Sequence, residues 1–263
     1  EALGAMRTPL SLNILVTLLD DNRPEIRRSA VLALDRFGDQ RMLPALEHLL
    51  EIEQDRTIIL TAVEALSKMG DETILPHVYA LMRDSTPGFE RKTLVQSLSH
   101  LIEAPDRLYR MLQADPMARD RQVARVFSSI KRLLGRWDLN LTLDAPYYET
   151  QLTDGLSSYE DQKYNETVNL LYGIAGRVQE RLAASVQGAD LIAAYLAEKG
   201  EDAPRGNHIQ LLQADNRVLG LSSRTLETLY GEAQHRPLHL EEFLLCVVAF
   251  RQIITEVLRM ARK

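Results

Sequence analysis

The chain has 263 residues, of which 45% are hydrophobic and 26% charged, the composition of a folded protein rather than a disordered one. Aromatic residues make up only 6%, which favours packed helices over sheets, so an all-β fold is not expected. The net charge of −6 lies entirely in residues 137–263, because residues 1–136 carry 19 basic and 19 acidic side chains, and this balance argues against a nucleic-acid-binding protein.

The start of the chain, its longest apolar run and its single cysteine indicate the cellular location. The chain begins at Glu1 without a basic, apolar leader, and its longest apolar run, Phe243 to Phe250, is too short to cross a bilayer. Cys246 cannot form an intramolecular disulfide, which fits a reducing compartment. We therefore expect a cytoplasmic protein, cut from a longer one.

The first half contains an internal repeat with a period of 32 residues. Two registers hold small or medium side chains and two hold large apolar ones, at offsets 0, 3, 4 and 7, which trace one face of a helix. The four registers are Ala30, Ala62, Leu94 and Val126; Ala33, Ala65, Ser97 and Ser129; Leu34, Leu66, Leu98 and Ile130; and Phe37, Met69, Leu101 and Leu133.

The punctuation between helices repeats as well. Gly38-Asp39 and Gly70-Asp71 favour a left-handed helix end followed by the start of the next helix. Pro44 and Pro76 then fall in register, each within a shorter leucine-rich amphipathic segment. Each repeat is thus predicted to be a helical hairpin.

The stretch from Asp21 to Asp39 resembles the HEAT-like repeats of the phycobilisome-lyase type. The resemblance implies an all-α fold with a HEAT-like α-solenoid over residues 1–136, in which Asp21 and Arg27 occupy the places whose side chains pair along an inner ladder. Glu53 and Ile59 stand at those places in the next copy, so a continuous ladder is not expected. The same resemblance leaves a bilin lyase or chaperone as an alternative function.

A basic helix is predicted from Arg119 to Arg136, with apolar residues at helical spacing on its other face. A solvated outer face explains such a run, and binding to an acidic partner, to anionic lipid or to RNA is the functional alternative. The candidate protein-binding residues of the array are Arg27, Arg28, Arg125, Lys131 and Arg132.

Residues 137–263 are predicted to form an irregular, acidic helical domain. We expect an extended connector over 138–146, a helix from Thr167 to Val186 in which Gly173 and Gly176 admit a close neighbour, and a loop over 198–207. A final helix should span about 238–262. Its centre is apolar all round and should be buried, with a dimer interface as the alternative.

No motif in the sequence marks an enzyme. Phosphate-binding loops, zinc-protease motifs and nucleophile elbows are absent. His235 and His239 have the spacing of a helical metal pair, but Pro237 between them breaks that geometry. Cys246 lies in the apolar run without a nearby base, so an inert buried thiol is expected. We therefore expect no catalytic residue, no cofactor and no metal.

A second resemblance suggests a context. Arg125 to Leu134, followed by Leu141 to Asp144 and by Tyr147-Tyr148, looks like the region after the membrane-spanning half of bacterial nucleotide-translocase-related proteins. This resemblance implies a regulatory region on the cytosolic side of a membrane transporter. Our leading expectation is a non-enzymatic scaffold from a larger bacterial protein, which binds a protein partner or positions an attached domain.

Overall fold

The computed structural model describes residues 8–70, 72–85, 88–135 and 145–262. Fourteen α-helices account for most of these ranges, with no strand among them, which confirms the predicted all-α class. The packing divides the chain into two compact units, the first ending at Leu101 and the second beginning at Ile102. The predicted domain boundary after residue 136 marks the end of the 32-residue repeat period, and it stays a prediction.

The first unit consists of short helices that alternate with longer ones. They are α1 (Pro9–Thr17), α2 (Pro24–Phe37), α3 (Leu43–Ile52), α4 (Arg56–Lys68), α5 (Leu75–Asp84) and α6 (Phe89–Leu101). The longer helix α4 packs against both α2 and α6, and each short helix packs against a longer one. This alternation confirms the predicted helical hairpins.

The predicted period supplies the core of the stack. Nearly every register position in α2, α4 and α6 is buried, and Met69, just beyond the end of α4, is partly exposed. Small residues at the first two offsets, such as Ala62 and Ala65, are fully buried where neighbouring helices approach closely. Leu34 and Leu66 are 0% exposed, and burial of a leucine contributes roughly 1.5–3 kcal/mol.

The ends of the long helices follow the predicted turn chemistry. Gly38 and Gly70 have φ angles of 65° and 79°, in the left-handed region that other residues rarely adopt. The carboxylate of Asp39 accepts from the backbone N–H of Arg41, whereas Asp71 lies outside the described residues. Pro44 lies in the first turn of α3, where its missing N–H removes no helical hydrogen bond.

The second unit contains eight helices within the described ranges. They are α7 (Pro105–Gln113), α8 (Pro116–Leu134), α9 (Ala145–Glu160), α10 (Tyr164–Ala183), α11 (Val186–Lys199), α12 (His208–Asp215), α13 (Arg217–Ala233) and α14 (Leu240–Met260). The predicted loop over 198–207 is confirmed between α11 and α12, apart from the last residues of α11 and one short 3₁₀ turn. The predicted connector over 138–146 falls mostly outside the described residues.

Helix α14 forms the centre of the second unit. It packs against α7, α8, α10, α11 and α13, and every residue from Phe243 to Phe250 is 0% exposed. The aromatic ring of Phe243 stacks against those of Tyr159 and Tyr164, with centroid distances of 5.0 and 4.9 Å, and the two tyrosine rings lie 6.2 Å from each other. The predicted burial is confirmed, and this stretch presents no exposed surface for a dimer contact.

Two details of the predicted helix from Thr167 to Val186 are wrong. Helix α10 ends at Ala183, and Ser185 caps the next helix by accepting from the N–H of Gly188 at 3.1 Å. Val186 therefore begins α11, where it is 73% exposed. Gly176 does not admit a close neighbour either, since a Cβ there would meet nothing within 4 Å.

The turn that leads into α14 is held by one side chain. The amide nitrogen of Asn165 donates to the carbonyls of Ala233 and Arg236 at 2.6 and 2.8 Å, and its oxygen accepts from the N–H of Leu238 at 2.9 Å. Three backbone groups of the turn thus share one partner, so Asn165 fixes where the central helix begins.

Replacement of Leu66 should unfold the repeat stack. Leu66→Asp puts an unpaired carboxylate into a site with no exposure, which should cost about 4 kcal/mol or more and lower the melting temperature steeply. Leu32→Asp is the matched control, because Leu32 is 39% exposed on the neighbouring helix. Equal melting temperatures for the two variants would contradict the register.

Loss of the Asn165 side chain should destabilise the second unit. Asn165→Ala leaves backbone groups of the turn without their partner, which should cost about 2–3 kcal/mol in chemical denaturation. Asn169→Ala on the same helix removes an exposed amide that accepts a single hydrogen bond, from Gln234, and should cost less than about 1 kcal/mol. If the two variants lose equal stability, Asn165 does not hold the turn as described.

Candidate functional site

Arg27 is used inside the repeat stack. Its Nε and Nη2 donate to the two carboxylate oxygens of Glu53 at 2.6 and 2.9 Å, and its Nη1 donates to the carbonyl oxygen of Asp21 at 2.9 Å. Glu53 is the counterpart of Asp21 one repeat later, so Arg27 joins two consecutive repeats. The arginine place therefore pairs with the acidic place of the next copy, whereas the carboxylate of Asp21 itself binds Arg23.

The ladder is not continuous, as the sequence predicts. Ile59 occupies the position of Arg27 in the next repeat, and its side chain has no hydrogen-bond donor. Arg91, one repeat further, is 2% exposed, and its Nη2 donates to the carbonyl oxygen of Ser85. The contact from a guanidinium to a carbonyl six residues earlier therefore recurs in alternate repeats. The ladder residues hold the stack together and are largely unavailable to a partner.

The stacked helices α2, α4 and α6 expose one common surface, which we call the open helix face. It consists of four rows of residues spaced 32 apart, all exposed or partly exposed. The rows are Arg28, Leu60 and Lys92; Ser29, Thr61 and Thr93; Leu32, Glu64 and Gln96; and Arg36, Lys68 and His100. Because α4 packs on both neighbours, each row crosses all three helices.

Ion pairs join the neighbouring helices beside this face. Lys68 Nζ lies 2.9 Å from Asp35 Oδ2 on α2 and 3.0 Å from Glu64 on its own helix. Arg56 at the start of α4 pairs with Glu90 on α6. Each of these surface pairs contributes little stability, so the alignment of the rows follows from the packing of the helices rather than from the ion pairs.

The basic charges of the open helix face are not all neutralised within the unit. Arg28 and Lys92 are exposed and form no ion pair within the described residues. The four rows contain four arginine or lysine side chains and one carboxylate, that of Glu64. The face is thus locally basic although residues 1–136 are neutral overall.

The second unit carries the other predicted candidates. On α8, Arg125 and Arg132 are exposed and form no ion pair within the described ranges, and together with Arg121 they follow one side of the helix. Lys131 Nζ lies 3.4 Å from a carboxylate oxygen of Glu149 on α9. The apolar residues predicted for the opposite side are buried, as expected, except the partly exposed Leu133.

A polar cleft of about 860 Å³ lies beside α10, α12 and α13 of the second unit. Gln179 forms its floor, where its oxygen accepts from Gln213 at 2.7 Å and from Ser223 at 3.1 Å. Gly176 lines this cleft, and the absence of its side chain keeps the space open. Sequence reasoning missed the cleft because its residues come from four separate helices, α10, α12, α13 and α14.

The side chains considered for catalysis or metal binding are those of Cys246, His235 and His239. Cys246 is 0% exposed, and burial raises the pKa of its thiol well above the usual range, as expected for an inert cysteine. His235 and His239 lie in the turn before α14 rather than on one helix. Within the described residues, no three His, Cys, Asp or Glu side chains are grouped to hold a metal ion.

The fold and these surfaces define an all-α protein whose first unit is a stack of helical hairpins. Residues 1–59 and 24–99 match the HEAT repeats family, which covers α1 to α6 and less than half of the chain. The chain therefore contains a HEAT-like repeat array, the architecture expected from its 32-residue period. No curated protein and no solved structure gives a significant match. No helix of the described ranges is long and apolar enough to span a membrane.

The pair formed by Arg27 and Glu53 should make the free energy of unfolding depend on pH in the acidic range. Hydrogen bonds from Arg27 lower the pKa of Glu53 from its usual 4.5 to about 2, with the N–H groups of Gln54 and Asp55 acting in the same direction. Because the folded-state pKa is the lower one, this contribution is complete above about pH 4.5 and is lost as the pH falls towards 2.

Glu53→Gln should accordingly flatten the stability profile between about pH 4.5 and 2, measured by urea unfolding of the purified protein. Glu51→Gln is the matched control, because this neighbouring carboxylate is 70% exposed, and its profile should follow that of the wild type. A wild-type slope retained in Glu53→Gln would mean that other carboxylates cause the acid sensitivity.

Proposed function

We propose that the chain is a non-enzymatic scaffold whose repeat unit binds an acidic segment of a protein partner across the open helix face. The observation that supports this proposal is the alignment of equivalent rows on α2, α4 and α6, which offers one surface wider than any single helix. HEAT-like arrays commonly use such extended surfaces to bind proteins.

The chemistry of the rows favours an acidic partner. Arg28 and Lys92 have no counter-charge among the described residues, so their binding to a partner breaks no ion pair seen there. The row of Ser29, Thr61 and Thr93 adds hydroxyl groups, and Leu32 and Leu60 add apolar surface. A segment with spaced carboxylates and a few apolar side chains matches this mixture.

The remaining parts of the proposal concern context. The protein acts in the cytoplasm, where Cys246 stays reduced, and the scaffold holds its partner near an attached domain or near the cytosolic region of a membrane transporter. It belongs to a larger bacterial protein. Cofactors and metals are not required for this role.

The double charge reversal Arg28→Glu with Lys92→Glu tests the binding face. Each reversal should lower the affinity for an acidic partner about tenfold, because the loss of one partly solvated charge contact costs about 1.4 kcal/mol of binding free energy. Partners retained by the wild-type protein from an extract of the source cells are identified, and their affinities for both proteins are measured by calorimetry. Neither residue has an internal ion pair, so the fold should be unchanged.

Arg125→Glu with Arg132→Glu is the matched control, because these arginines are also exposed and unpaired but lie on α8. This control should retain the partner. Loss of binding only in the α8 variant would move the interface to the second unit, and unchanged binding in both variants would refute a basic interface. A changed visible spectrum on mixing with bilin would favour the lyase alternative.

A further inference from the structure

The polar cleft of the second unit plays no part in the proposed function, which concerns the first unit. Its volume of about 860 Å³ lies within the range of about 300–1,000 Å³ that is typical of small-molecule sites. A more open depression of about 620 Å³ adjoins it, because Glu180, Asn207 and Ile209 line both. Together they have room for a small molecule of one or two rings.

One wall of the cleft is bare helix backbone. Gly173 and Gly176 lie inside α10, and both line the cleft. A glycine inside a helix is less stable there than an alanine, and packing does not require either one. A Cβ at Gly176 would meet nothing within 4 Å, and a Cβ at Gly173 would make an ordinary contact of 3.7 Å with the hydroxyl of Tyr147. The two glycines therefore leave open a space that no described side chain fills.

The floor of the cleft combines a buried polar network with apolar surface. Gln179 and Ser223 are 7% and 8% exposed. The side-chain oxygen of Gln179 accepts from Gln213 and Ser223, whereas the side-chain oxygens of these two residues accept from no described group. The buried side chains of Leu226 and Ile253 also line the cleft. The floor thus offers hydrogen-bond acceptors beside an apolar patch.

Hydrogen-bond donors lie at the end of the cleft where α12 begins. The side-chain oxygens of Asn207 and Gln210 cap this helix by accepting from each other's backbone N–H groups, at 2.8 and 3.0 Å. Their amide nitrogens donate to no group within the described ranges, and both side chains are exposed. The cleft therefore has free donors at this end and free acceptors on its floor.

The formal charges at the rim of the cleft cancel. Its exposed charged side chains are two arginines and two glutamates, Arg177, Arg181, Glu180 and Glu227. With equal numbers of each sign, the rim favours neither an anion nor a cation. An uncharged ligand also avoids the loss of hydration that an ionic group suffers on burial.

We propose that this cleft binds an uncharged sugar of one or two rings. Sugar hydroxyl groups both donate and accept, which matches the free amide donors at the start of α12 and the free oxygens of Gln213 and Ser223. The C–H groups on the faces of a sugar ring suit the apolar floor at Leu226 and the bare backbone at Gly176. A purely apolar ligand would cover the free oxygens without giving them a partner, which is unfavourable.

Binding is tested on the full chain by calorimetry and by thermal unfolding. Glucose, galactose, N-acetylglucosamine and maltose are the probes, and glucuronate and glucosamine are charged counterparts of glucose. We expect at least one uncharged sugar to bind with a dissociation constant below about 1 mM, more tightly than either charged counterpart, and to raise the melting temperature. Tighter binding of maltose than of glucose would show that the adjoining depression takes the second ring.

Gly176→Leu should fill the open wall and weaken sugar binding at least tenfold. The variant should melt no lower than the wild type, because leucine is the better helix former and a Cβ at this position meets nothing within 4 Å. Loss of binding without loss of stability distinguishes a ligand site from a structural role.

Gly231→Leu on α13 is the matched control. A Cβ at Gly231 also has open space, and Gly231 does not line the cleft, so this variant should bind sugar like the wild type. Gln213→Leu tests the floor by a change of similar size, and it should weaken binding about tenfold because a free acceptor is lost. If Gly176→Leu is too unstable to assay, Gln213→Leu provides the comparison with the control.

The proposal is overturned if none of the uncharged sugars binds, or if Gly176→Leu and Gly231→Leu bind sugar equally well. Tighter binding of glucuronate or glucosamine than of every uncharged sugar would also overturn it, since that result identifies an ionic site. Failure of these tests leaves the open helix face unaffected, because the reversals of Arg28 and Lys92 concern the first unit.

Discussion

A single helical hairpin of this chain cannot bury its apolar side alone, and the first unit is organised around that constraint. Burial of Leu34 and Leu66 requires the next repeat to lie close, and small side chains such as Ala62 and Ala65 make the close approach feasible. The pair formed by Arg27 and Glu53 then links consecutive repeats at their ends. The same stacking aligns the outer rows, so the surface proposed for binding results from the packing of the core.

The second unit buries its apolar side chains in a different way. Helix α14 has apolar residues on all sides and is surrounded by other helices, so it serves as a shared core element rather than as one layer of a stack. Asn165 and the pair formed by Arg236 and Glu242 fix where it begins. Because buried polar groups need partners, these contacts specify one arrangement of the turn before α14.

The sequence by itself determined the helical class, the 32-residue hairpins, the left-handed turns at Gly38 and Gly70 and the burial of α14. These features depend on periodicity and on turn chemistry, which are local in the chain. The break at Ser185 was also local, because serine is a strong helix cap, but the apolar spacing on both sides concealed it.

Only the tertiary structure decided which charges are used internally and which remain free. Arg27 and Arg28 are neighbours in sequence, yet one joins two repeats and the other faces solvent. The cleft beside Gly176 unites residues from separate helices. Such proximity follows from packing between distant segments, which a local pattern of residues does not encode.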